Sequence, residues 1–144
     1  DVITPKEIKY NFNFMLEDRT IQLWAYNLET VLAEKLETVV RRNVTNTRMR
    51  DFYDIYILQK LHGDQLKKEV LWNALVATAR KRGTLKQIES EDIREIFDEV
   101  ESSPVMEKLW KTYQKNYSYA ADIPWHIVMD SVRYLYQIGY SNKF

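Results

Sequence analysis

Residues 52–61 carry apolar or aromatic side chains at Phe52, Tyr53, Ile55, Tyr56, Ile57, Leu58 and Leu61. Wound into a helix of 3.6 residues per turn, they leave almost no polar face, so such a helix satisfies its surface only at the centre of an assembly. Its neighbours must be helices too, because after Asn27 nothing alternates with a strand's period while helix start and stop signals recur. Asn27 caps a helix reaching about Arg42, with Leu28, Val31, Leu32, Leu36, Val39 and Val40 as its stripe. The central helix follows the polar link 43–47 and ends at Gly63, read as a left-handed stop. Asp64, Ser90, Ser103-Pro104 and Asp122 open four more, the first closing with Arg80-Lys81-Arg82 and the last at Gly139.

Only the beginning of the chain reads differently. Ile8, Tyr10, Phe12 and Phe14 alternate with Lys9, Asn11 and Asn13, and Thr20 to Tyr26 can return as a second strand. The fold class expected is mainly α: an N-terminal β-hairpin over 1–26, then a bundle of about six helices over 27–144. Two strands alone are marginal in water, so helices cover them or missing chain completes their sheet. The chain opens on Asp1 and is expected to be part of a longer protein.

Composition excludes several chemistries. The 21 basic and 21 acidic residues cancel, so overall charge argues for neither a nucleic-acid nor a membrane partner. The absence of cysteine removes disulfides, thiolate metal sites and a cysteine nucleophile, and suits a reducing cytoplasm. His62 and His126 are too far apart in sequence to suggest a histidine metal site, and no apolar run is long enough to span a bilayer. Arg41-Arg42, Arg80-Lys81-Arg82 and Lys67-Lys68 can touch nucleic acid, but two of the three sit where a helix C-terminus already favours cations, and they read mainly as capping charges.

The ionisable residues that do not fit a solvated face are Lys35, Arg50, Asp51 and Asp54. Lys35 follows Leu28 by two turns and points with the core stripe, where an unpaired ammonium costs several kcal/mol. Helix geometry favours snorkelling or a structural ion pair; the functional alternative is a cation held for a phosphate or carboxylate. Arg50 and Asp54 lie four apart on the central helix and Asp51 and Asp54 three apart, so all three can flank one groove. Such a pair is commonly a solvated ion pair, yet this helix has little polar face to hold one. Paired carboxylates can also bind Mg²⁺ or act as a base.

The run Tyr26-Asn27-Leu28-Glu29-Thr30-Val31-Leu32-Ala33-Glu34-Lys35-Leu36, followed by Asn46-Thr47-Arg48-Met49-Arg50-Asp51-Phe52-Tyr53-Asp54-Ile55, resembles the C-terminal part of the AbiEii/AbiGii abortive-infection toxins. These are nucleotidyltransferase-like proteins of bicistronic toxin–antitoxin systems in bacterial phage defence. The match runs through Leu32-Ala33-Glu34-Lys35 and through Arg50, Asp54 and Ile55, with Met49 replacing a small residue. The Gly-Ser turn and metal-holding Asp-x-Asp pair of the family's first motif have no counterpart, nor does its second, lysine-containing motif.

The resemblance implies the C-terminal portion of a nucleotidyltransferase, inactive alone. In it Lys35 and Asp54 are catalytic, Lys35 reaching the triphosphate, while Glu34, Arg50 and Asp51 support the nucleotide. Mg²⁺ and a nucleoside triphosphate are implied for the intact protein, with no metal held by this portion. An RNA or protein acceptor and a cognate antitoxin are the implied partners, and no membrane. The alternative is a non-catalytic helical module binding a protein or RNA, with Lys35, Arg50 and Asp54 as a buried structural network.

Overall fold

The computed structural model describes residues 28–141, together with the backbone of 9–13 and 20–24. Seven α-helices fill the described body: α1 (Leu28–Arg42), α2 (Met49–His62), α3 (Lys68–Arg82), α4 (Leu85–Glu89), α5 (Ile93–Ser102), α6 (Pro104–Asn116) and α7 (Trp125–Ser141). Most of the stretch read as a β-hairpin lies outside the described residues. Lys9–Asn13 does run antiparallel to Thr20–Trp24, but the core of the described residues is helical throughout. The expected remnant of a nucleotidyltransferase sheet is therefore not supported.

The central helix is α2, over most of its length. From Met49 to Leu58 only Arg50 and Tyr56 escape burial. Phe52 meets Trp125 of α7 edge-on at 5.1 Å between centroids, and Tyr53 packs 6.4 Å from Tyr113 of α6. Ser131 of α7 donates to Gln59, so α2 and α7 run in the same direction. The last turn emerges, leaving Leu61 55% exposed. Gly63 is not the left-handed stop expected there: its φ is −56°, and a 3-10 turn, Gly63–Gln65, carries the chain on.

Consequently α3 starts at Lys68 rather than at Asp64, and the buried carboxylate of Glu29 in α1 does the capping, accepting from the Lys67 N–H at 2.6 Å. At the other end of α3, Arg82 donates to Glu37 and lies within 3.5 Å of Thr38, both of α1. Contacts at both ends show α1 and α3 lying parallel, connected through α2. Gly83 ends α3 with a φ of +82°, as its position implied.

Two further corrections concern the later helices. The short α4 falls where no helix was expected; Ile88, with 0% exposure, anchors it in the core. Gly139 is a buried interior residue of α7, lying against Leu71 and Trp72 of α3, and the helix continues to Ser141. Ser103 behaves as its sequence indicated, accepting from the Met106 N–H at 3.2 Å with Pro104 in the first turn. Trp110 and Gln114 both donate to the carbonyl of Ile123, fixing the approach to α7.

Candidate functional site

Helix α1 is buried on two sides. Leu32, Leu36 and Val39 are in the core, as are Ala33, Glu37 and Val40. Lys35, with 22% of its side chain exposed, faces the start of α2, where its Nζ stands 3.1 Å from Asp54 Oδ2 and 3.3 Å from Asp51 Oδ1. The two carboxylates are 2% and 8% exposed. Asp51 lies in the first turn of α2, where the helix dipole favours an anion, and receives a longer approach of 3.7 Å from Arg48 Nε.

The turn that delivers these aspartates is built from Asn46. Its side chain is fully buried, and its Oδ1 accepts from the Arg48 N–H at 3.0 Å, shaping the backbone just before α2 begins. The cluster of Lys35, Asp51 and Asp54 thus bridges two helices at the edge of the core. Arg50 points to solvent, away from it, and Glu34 is half-buried one position before Lys35, with no ion pair described for either. Helix spacing places Arg50 one turn before Asp54, yet Arg50 is exposed at the start of α2 while Asp54 is buried.

Among the described residues, no group of three or more His, Asp or Glu side chains could hold a metal ion. Asp51 and Asp54 are both turned toward the Lys35 ammonium. What the arrangement can do is hold a cation in a fixed place. A lysine ammonium has three donors; two can serve the aspartates, and the exposed side of Lys35 leaves room for a third acceptor.

A family model described as nucleotidyl transferase AbiEii toxin, type IV toxin–antitoxin system, matches residues 1–133 of the 144-residue chain. The chain belongs to this family. No curated protein and no solved structure matches it. No helix among the described residues of this AbiEii-family protein is long and apolar enough to cross a membrane.

A second ionic cluster went unread in the sequence. Glu37, with 0% exposure, accepts from Thr84 Oγ1 at 2.8 Å, Arg82 Nη1 at 3.0 Å and Arg41 Nε at 3.3 Å, joining α1 to α3 and the start of α4. The signal was present: Glu37 stands four residues after Ala33 and three before Val40, both buried, so it lies on an apolar line as Lys35 does.

Proposed function

We propose that this chain forms the C-terminal portion of a nucleotidyltransferase toxin and contributes Lys35 to its nucleotide pocket, with Asp54 and Asp51 positioning the ammonium. The supporting observation is the double carboxylate grip on a lysine that still reaches solvent. A cation fixed beforehand loses little freedom when a phosphate oxygen arrives, which is how a phosphoryl-transfer site gains from positioned charge. The intact protein would then use a nucleoside triphosphate and Mg²⁺, the metal being held outside the residues described here, and would modify an RNA or protein acceptor. A cognate antitoxin is the partner suggested by the type IV toxin–antitoxin family.

The second reading is the non-catalytic module, and one observation favours it: both described partners of Lys35 are carboxylates, as in a purely structural ion pair. Expression of the intact toxin in its bacterial host separates the two. Under the nucleotide-pocket reading, Lys35→Met and Asp54→Asn abolish growth arrest; Lys35→Arg does so as well, because a broad planar fork does not replace a compact point charge at a phosphate. Under the structural reading Lys35→Arg, which keeps the charge and both aspartates paired, remains fully toxic. Thermal melting of each variant identifies any loss of toxicity that comes from unfolding. Full toxicity in Lys35→Met and Asp54→Asn alike would exclude the nucleotide role.

A further inference from the structure

The parallel arrangement of α1 and α3 has gathered two basic runs that are far apart in sequence. Arg41 and Arg42 close α1, Arg80, Lys81 and Arg82 close α3, and Lys86 follows in α4; all six are exposed. Arg41 and Arg82 are not merely neighbours, since both hold the carboxylate of Glu37 and each keeps 35% of its side chain exposed. Glu37 and the two helix C-termini, each worth about half a negative charge, offset only part of this charge. A net-neutral chain therefore gathers six exposed cations at one end, with the exposed Glu89 of α4 beside them.

We propose that this end is a nucleic-acid surface that takes the phosphate backbone of single-stranded RNA. Arg41 binds Glu37 through Nε and Arg82 through Nη1, so each guanidinium has further N–H donors on its exposed side, anchored by a fully buried carboxylate. Fixed guanidinium forks suit phosphate oxygens. An acidic protein partner is the less favoured occupant, because protein interfaces centre on apolar and aromatic anchors. Here the exposed residues from Arg80 to Gln87 are Arg80, Lys81, Arg82, Gly83, Lys86 and Gln87, none of them a large apolar side chain, and Val44, 39% exposed two residues after Arg42, is a small aliphatic side chain rather than an aromatic anchor. The surface is made of other residues than the Lys35 cluster, so either proposal can fail without the other.

The test is fluorescence anisotropy of labelled oligouridylate with the 144-residue chain, titrated between about 50 and 200 mM KCl. Binding should weaken with salt, each neutralised phosphate adding about 0.7 to the slope of log affinity against log salt. Arg42→Gln with Lys81→Gln, neither residue having a described ion pair, should lower that slope by about 1.4 and weaken binding about tenfold at the lowest salt. Arg80→Gln with Lys86→Gln should act in the same direction. Absence of RNA binding at low salt, or unchanged affinity in both double variants, overturns the proposal. Polyglutamate competing as well as RNA of equal charge also overturns it, in favour of an acidic protein partner.

Discussion

Lys35 and Glu37 stand two residues apart on α1 and serve different neighbours. Lys35 grips two aspartates of α2, and Glu37 gathers Arg41, Arg82 and Thr84 from its own helix, α3 and the start of α4. The buried carboxylate is the more costly one to disturb, since its partners converge on it from three elements. Glu37→Ala should lower stability by about 3 kcal/mol, read as a reduced urea midpoint with an unchanged slope. Lys35 was visible in the sequence as a charge on an apolar stripe, and the same argument applied to Glu37 would have found the second cluster. Arg50 shows the opposite case. Its spacing from Asp54 is right for a pair, but spacing does not say which side of a helix its neighbours occupy.

Two glycines separate helix endings from helix interiors. Gly83 terminates α3 at a φ of +82°, with open space where a Cβ would stand. Gly83→Ala should destabilise by about 1 kcal/mol through left-handed strain alone. Gly139 lies inside α7, and a Cβ there would meet Leu71 at 3.6 Å and Trp72 at 3.7 Å, ordinary contact distances. Gly139→Ala should therefore stabilise by about 0.5–1 kcal/mol, because helix propensity rises without a clash. Paired melting curves that moved the same way would contradict this assignment. Both glycines follow apolar stripes in the sequence, and the one difference between them is whether the backbone turns. The start of α3 was obscured for a related reason: its capping carboxylate, Glu29, comes from a helix 38 residues away, beyond any local signal.

The whole fold has a built-in response to alkaline pH. Tyr136 of α7 donates its hydroxyl to the carbonyl of Ile88 in α4, and burial, aided by Tyr140 and Glu89, holds its ionisation well above the ordinary value of 10.0. A raised phenol keeps its contribution to stability below its unfolded value and loses it as pH climbs toward the folded one. Stability should accordingly decline above pH 10.0, and Tyr136→Phe should flatten that decline while lowering stability at neutral pH by about 1 kcal/mol. Chemical denaturation at neutral and alkaline pH measures both effects; an equally steep decline in the variant would remove Tyr136 as its source.

Periodicity and capping residues were enough to read the mainly helical class, the centrality of 52–58, the extent of α1, the ending at Gly83 and the start at Ser103, because those depend on contacts within a few residues. The family wording reached as far as the segments that carry Lys35, Asp51 and Asp54. The parallel docking of α1 on α3 lies beyond such signals. It depends on side-chain bonds between residues 38 to 47 positions apart, and these also bring Arg41 and Arg82 onto one buried carboxylate. Two runs that look like ordinary capping charges in one dimension become a single basic end in three. The helix of residues 52–61, which demanded a surrounding bundle, proved buried only to Leu58, since packing partners rather than hydrophobicity determine how much of an apolar helix is covered.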